Sequence, residues 1–443
     1  MKKYLFLAVM ALLAVACKQK ASDGFVIDGK LTGNVENAVV KIFDAADPTM
    51  TVVDSAVVKE GKFQLKGKVD EPTMFQLTID LPDASLSEQE RTLAYAFYVE
   101  NAPMTFTADA ATMPTLFYIP DRKTVNPVIT GSPTQELNEK FNAQMADKEN
   151  RLSELSEKQA SVYYSAEERT DSIIAEAVRM ESEIEALRKE CNDARLDFIR
   201  KNAASIVALD QAGILVYADE LTTTDVDEIL KVLEPSWKGK ARYDLLVQQM
   251  TTKKNMALGS IIPDADFSTT DGKTVKLHDV LPKEGYALVE FWASWCSPCR
   301  AEIPHLKQIV SKYPAFHIIS LSVDDDDAAW KKALDQDKPS WTQLRCPDGI
   351  QGMANKVYGI MGVPACFLVD SEGKIVRVGA RGPVLVGAAG PDGDGVVHGA
   401  AGAGLPGLPH GAHPARRHRP AAGGLPGSGY ITGSASASLR KYG

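Results

Sequence analysis

Cysteine is scarce in this chain, with six residues in 443. That is too few to staple a fold with disulfides. Long hydrophobic runs are missing as well. No internal stretch reaches the roughly 20 apolar residues that a membrane-spanning helix needs, which excludes a multipass membrane protein. There is no excess of positive charge. With 49 Lys and Arg against 58 Asp and Glu, the formal net charge is −9. A nucleic-acid partner, which requires a basic face against phosphate, is therefore not expected. Metal-ligand spacing is equally thin. A structural zinc site needs four ligands, usually a second close pair of Cys or His. Cys346 and Cys366 stand 20 residues apart, and His305 and His317 lack the usual partner spacing. We expect neither a metal nor a cofactor. What is present is ordinary globular composition, 44% hydrophobic and 24% charged, at a length that suggests about three domains.

Met1-Lys2-Lys3 opens the chain with positive charge, and Tyr4 to Ala16 follows as an uncharged, mostly apolar run. The run is too short for a span and suits an export signal. It ends Ala14-Val15-Ala16-Cys17. Small residues directly before a cysteine resemble the lipobox of bacterial lipoproteins. The resemblance implies that residues 1–16 are a lipoprotein signal peptide, and that acylated Cys17 anchors the protein to a lipid bilayer. The alternative is a plain signal peptide with an incidental cysteine. Either way the chain is exported to the cell envelope, where protein disulfides form. The anchored form would face the periplasm or the cell surface.

Residues 24–131 read as β. The runs Phe25–Leu31, Ala38–Phe43, Thr51–Val58, Lys62–Val69, Met74–Ile79, Ala94–Val99 and Met104–Ala108 are short, rich in β-branched and aromatic residues, and separated in several places by turn signals such as Glu60-Gly61. Many short strands without helices between them predict a sandwich. From Ser132-Pro133, a capping hydroxyl before proline at a first helical position, the pattern turns helical through residue 256. Ile173, Ala177, Met180, Ile184, Leu187, Cys191, Ala194 and Phe198 alternate spacings of four and three, which is one apolar seam. The seam suits a hairpin with residues 137–155 or a second subunit. Further helices are expected over 206–216, 224–233 and 238–254, and the region reads as a spacer or arm.

From residue 257 strand and helix signals alternate: a strand over Tyr286–Trp292, a helix over 297–312, a strand over Phe316–Val323, a helix over Asp326–Gln336, a short helix over Met353–Tyr358, and two strands, Ala365–Val369 and Lys374–Val378, joined by a hairpin turn. This order predicts an α/β sheet with helices on both faces. Within it, Phe291-Trp292-Ala293-Ser294-Trp295-Cys296-Ser297-Pro298-Cys299-Arg300 carries the chemistry. Two cysteines separated by two residues, after a strand and opening a helix, can close a small disulfide loop. Free backbone N–H groups and the helix dipole favour an anion at the first of them. Such placement lowers a thiol pKa from about 8.5 toward about 7, and the thiolate is the form that attacks disulfides. Cys299, one turn further in, is expected to be the less exposed.

Val289-Glu290-Phe291-Trp292-Ala293 followed by Trp295-Cys296-Ser297-Pro298-Cys299, with Pro304 five residues on and Gly362-Val363-Pro364 near the end, resembles the active site of the TlpA/ResA-like thiol–disulfide oxidoreductases, which are AhpC/TSA-related. The resemblance covers residues 258–381. The upstream β domain, helices and lipobox resemble lipoproteins of Bacteroidetes that carry this domain. The whole-chain expectation is thus an all-β sandwich-like domain, a helical middle region and a thioredoxin fold over 257–383. The resemblance implies that Cys296 attacks and Cys299 resolves. It implies that Glu290 is a buried acid exchanging a proton with Cys299, with Glu302 as a second candidate. Val363 and a cis Pro364 would meet an extended substrate segment, and Trp295 and Pro298 would form the apolar rim. The implied partners are protein disulfide substrates and a membrane electron-donor thiol protein. The family usually works as a reductant, sometimes in cytochrome c maturation. Cys366 reads as a buried inert thiol, and Asp324–Asp327 as acids complementing a helix start.

Two other functions are conceivable for such a chain. Peroxidases of this fold set their cysteine in a Pro-x-x-x-Thr-x-x-Cys context, and Phe291 to Trp295 supplies neither residue. A non-catalytic surface lipoprotein whose β domain binds a ligand is the third reading. The resemblance also calls for a last helix from about Gly382-Pro383. Instead, residues 379–443 hold 17 of the 33 glycines and 7 of the 24 prolines, a composition hostile to helix. Residues 384–443 are expected to be a disordered tail, and the switch in composition points to a frameshift product. A domain without that helix is expected to leave sheet surface bare.

Overall fold

The computed structural model describes residues 23–119, 122–164, 170–219, 221–314, 316–382 and 385. The signal peptide, Cys17 and all of the tail but Leu385 lie outside the described residues. The chain divides into two compact units, with the boundary between Asn142 and Ala143.

The first unit is built from β1 (Phe25–Thr32), β2 (Val39–Asp44), β3 (Val52–Val57), β4 (Lys62–Gly67), β5 (Thr73–Asp80), the short α1 (Glu88–Arg91), β6 (Thr92–Val99), β7 (Pro103–Asp109) and β8 (Val128–Thr130). The strands form two four-stranded sheets, in the orders β4-β1-β7-β8 and β3-β2-β5-β6. Along β1 burial alternates, with Phe25, Ile27, Gly29 and Leu31 inward, as period-two side chains require. Ile27, Leu65 and Phe106 of one sheet share a core with Val40, Leu77 and Phe97 of the other, so this is a sandwich. Gly29 is needed there, because a Cβ on it would stand 2.1 Å from the Phe63 ring. The sequence reading missed β8 and α1. The short α1 is held by a capping box, in which Ser87 and Glu90 bond each other's backbone N–H groups. α2 (Pro133–Tyr164) starts where expected, and Ser132 Oγ accepts from the Gln135 N–H at 3.1 Å.

The second unit contains the remainder of α2, then α3 (Asp171–Lys201), α4 (Ile206–Leu215), α5 (Thr223–Trp237) and α6 (Ala241–Asn255). In the seam of α3, Ala177, Met180, Ile184, Leu187, Cys191 and Phe198 are buried. The α/β segment follows: β9 (Asp266–Thr269), β10 (Thr274–Lys276), β11 (Tyr286–Trp292), α7 (Ser297–Lys312), β12 (His317–Ser322), α8 (Asp327–Asp337), β13 (Thr342–Arg345), α9 (Asn355–Tyr358), β14 (Ala365–Asp370) and β15 (Ile375–Val378). Its sheet runs β10-β9-β13-β12-β11-β14-β15, with β11 an interior strand, parallel to β12 and antiparallel to β14. Ala287, Val289 and Phe291 of β11 share a core with Trp330 and Ala333 of α8. Leu288, from the alternate face, packs with Leu306 and Ile309 of α7. This is the thioredoxin arrangement, with helices on both faces.

Two expectations are corrected. The sheet is not bare on the α7 side, because Leu288, Ile318 and Leu368 are buried there with Phe316, Ala380 and Leu385. Nor are the middle helices a free arm. The Tyr163 ring at the end of α2 meets His305 of α7 edge-on, with ring centroids 5.5 Å apart. Glu185 of α3 forms an ion pair with Arg377 of β15. His305 and Arg377 are here contact points between two segments of one unit. Among the described residues, no helix is long and apolar enough to cross a membrane.

Candidate active site

β11 delivers the chain to the site as a buried apolar strand, and Ala293-Ser294-Trp295 turns it into α7. Cys296 is the N-cap of that helix, in extended backbone conformation, with Pro298 in the first turn. Proline is tolerated there because the first helical N–H groups have no intrahelical acceptor. Cys296 Sγ accepts from the Cys299 N–H at 3.2 Å. A sulfur so placed faces free backbone donors and the positive end of the helix dipole, which favours its anionic form. In this structure Cys296 and Cys299 are bonded to each other. The expected difference in exposure between them is not found. Both are buried, at 4% and 5%, because the loop carrying Val363 covers the first sulfur, whose Sγ lies 3.7 Å from the Val363 carbonyl oxygen.

The Val363–Pro364 peptide bond is cis, and both residues are half-buried beside the pair. Trp295 is 60% exposed and Pro298 is also exposed. The structure thus brings the cysteine pair, Trp295, Pro298, Val363 and Pro364 to one place. Glu290 lies beneath. It is buried in β11, and its carboxylate accepts a hydrogen bond from the Ser320 hydroxyl on β12. Burial pushes the Glu290 carboxyl up to about 7, against the pull of the Ser320 hydroxyl and with Glu302 adding to the rise. Glu290, Cys299, Trp292, Ile303, Ser320 and Trp341 line one narrow crevice. Glu302, on the next turn of α7, is half-buried, with Oε1 4.0 Å from His305 Nε2.

Asp324 is the residue the sequence reading misplaced. Asp326 does cap α8, accepting from the Ala328 N–H at 2.8 Å. Asp324 is instead almost fully buried. It accepts from the Ser294 N–H at 2.8 Å, the Ser294 hydroxyl at 2.6 Å and the Ser322 hydroxyl at 2.7 Å, so it pins the turn that presents Cys296. The available signal was register: in parallel strands the residue just past β12 meets the residue just past β11. Ser320 and Trp341 were also missed. The other described thiols, Cys191, Cys346 and Cys366, are buried. Burial, with Glu290 adding, pushes Cys366 well up, and burial pushes Cys346 up to about 12. Among the described residues, no three or more His, Cys, Asp or Glu side chains gather as for a metal ion.

Comparison with known proteins agrees with this geometry. Residues 258–378 match the AhpC/TSA family, and residues 25–138 match a domain of unknown function, DUF4369. The thiol–disulfide oxidoreductase ResA of Bacillus anthracis is 32% identical over 144 residues, which are 31% of this chain and 79% of ResA. The thiol:disulfide interchange protein DsbE homologue of Paracoccus denitrificans is 27% identical over 147 residues, 33% of this chain and 79% of the homologue. Among solved structures, the thioredoxin domain of a thiol–disulfide oxidoreductase from Bacteroides vulgatus is 36% identical, covering 29% of this chain and 93% of that one, with a TM-score of 0.28. The chain belongs to the TlpA/ResA-like thiol–disulfide oxidoreductases of thioredoxin fold, and its activity is thiol–disulfide exchange.

Proposed function

We propose that the protein is an exported, lipid-anchored reductant of protein disulfides in the cell envelope, held to the membrane through acylated Cys17. The observation that carries its chemistry is the Cys296 sulfur at the N-cap of α7, receiving the Cys299 N–H. The Cys296 thiolate attacks one sulfur of a substrate disulfide, and the other substrate sulfur leaves as a thiolate and takes a proton. Cys299 then loses its proton to Glu290, attacks Cys296, and expels the second substrate thiolate. Two electrons pass to the substrate, and the pair ends joined, as it stands in the structure. A membrane thiol protein restores the dithiol. Trp295, Pro298, Val363 and Pro364 receive the substrate, with Val363 offering its carbonyl to an extended segment. Glu302 is the second candidate for proton exchange.

Insulin reduction at pH 7 tests the reading. Cys296→Ser is expected to lower the rate at least about 1,000-fold, as loss of a nucleophile does. Cys299→Ser is expected to trap a mixed disulfide on Cys296. Equal rates for wild type and Cys296→Ser overturn it. Extraction with detergent, against release by Cys17→Ala, checks the anchor.

A further inference from the structure

The Glu290 carboxylate takes its hydrogen bond from the neighbouring strand β12 rather than from the helix that bears the cysteines. Ser320 sits opposite Glu290 in the β11–β12 register and is 1% exposed. Its hydroxyl donates to Glu290 Oε1. Its oxygen accepts from the Trp341 indole N–H at 2.7 Å. An indole nitrogen only donates, whereas a hydroxyl both donates and accepts and rotates to suit. With its oxygen engaged by Trp341, Ser320 is left to aim its proton at Glu290, and the direction of the whole chain of donors is fixed.

We propose that Trp341 and Ser320 form a one-way donor relay that holds the Glu290 carboxylate ready to receive the Cys299 proton, which makes both of them positioning residues for the resolving step. This rests on the reading of Glu290 as proton acceptor. The other titratable groups facing Glu290 are Cys299 and Glu302 from α7 and Cys366, directly opposite on β14. Glu302 opposes ionisation of Glu290 by like charge, and burial holds the Cys366 thiol protonated. Glu290 and Cys299 line the same narrow crevice, which places the acceptor and the donor of the proton on one enclosed face. In the balanced step the Cys299 S–H bond breaks and the proton joins the Glu290 carboxylate. The new thiolate forms the Cys296–Cys299 bond, and the Cys296–substrate bond breaks, its electron pair leaving on the substrate sulfur.

The test is the pH dependence, from 5 to 9, of product release from a preformed Cys296–substrate mixed disulfide in the full chain. An infrared titration of the carboxyl band runs alongside it. Ser320→Ala is expected to move the midpoint upward by about one pH unit, the worth of one hydrogen bond to a charged group. Trp341→Phe moves it the same way by less. The double variant moves it no further than Ser320→Ala alone, and Ser320→Thr, which keeps the hydroxyl, restores the wild-type midpoint. Unmoved midpoints in both single variants overturn the relay, as do fully additive shifts. Glu290→Gln separates the two claims. If it leaves the wild-type inflection in place, the proton-acceptor reading falls. If it removes the inflection while Ser320→Ala and Trp341→Phe change nothing, only the relay falls.

Discussion

The strands of residues 23–131 and those of residues 266–378 draw on the same β-branched and aromatic residues, yet their interiors differ. Among the described residues, the first region buries one polar side chain, Thr78, whereas the second buries Glu290, His305, Ser320, Ser322 and Asp324. The first holds together by apolar contact, as where Phe25 meets Phe75 edge-on at 5.9 Å. The second threads hydrogen bonds through its core. A polar group taken from water costs free energy unless it is paired, so selection for stability alone favours the first kind of interior. A core that retains two carboxylates near a cysteine pair has been shaped by something besides stability. The difference locates the chemistry without reference to any motif.

Removing Asp324 is the strongest way to break that comparison. Asp324→Ala strands the Ser294 N–H and the hydroxyls of Ser294 and Ser322. Leaving buried donors without an acceptor costs about 1–3 kcal/mol each. Because hydroxyls can turn to other partners, the expected loss is about 4 kcal/mol in urea unfolding, with a fall in Cys296 alkylation rate as the turn loosens. Asp324→Asn, which keeps one acceptor oxygen, is expected to lose about half as much. A loss below about 1 kcal/mol in Asp324→Ala would show the network to be ornamental.

Glu290 comes next. Folding raises its carboxyl from 4.5 to about 7, chiefly by burial. The folded chain therefore keeps this proton where the unfolded chain has lost it. Stability is highest below pH 4.5, falls as pH rises toward 7, and levels off above it. The span corresponds to about 3 kcal/mol. Urea unfolding at pH 5 and pH 8 is expected to show most of that difference in wild type and little of it in Glu290→Gln. A flat wild-type profile would place the carboxyl near its ordinary value and remove it from proton exchange at neutral pH.

What was legible in the sequence follows the same division. β11 and α7 announce themselves locally, by an unbroken apolar run and by a cysteine before Ser-Pro at a helix start, and both have the expected bounds. Seven strands of the β region were readable as short runs rich in β-branched and aromatic residues with turn signals between several of them, whereas β8, three residues long, was not. β9, β10 and β13 were missed. They are three or four residues long and mostly polar, and pairing with neighbours, rather than their own composition, makes them strands. The break between α2 and α3 has no Gly or Pro to mark it; its one signal is Thr170, whose hydroxyl oxygen accepts from the Ile173 N–H. Asp324, Ser320 and Trp341 could not be read locally either. Each acts through a residue 21 or 30 positions away in the chain, and strand register, which the sequence carries only diffusely, decides which residues meet.

The smallest effect is expected where the comparison predicts indifference. Thr78 lies in β5, paired through its backbone with Lys41 on β2 and Ala94 on β6. Those backbone bonds do not depend on its hydroxyl. Thr78→Val keeps the shape and β-branching that suit a strand and exchanges one polar atom for a methyl group. Stability is expected to change by less than about 1 kcal/mol in either direction, and the pH profile of unfolding and the insulin-reduction rate are expected to match wild type. A loss approaching that of Asp324→Ala would mean that the β region also depends on a buried polar contact. The contrast in buried polarity between the two regions would then no longer single out the α/β segment as the seat of the chemistry.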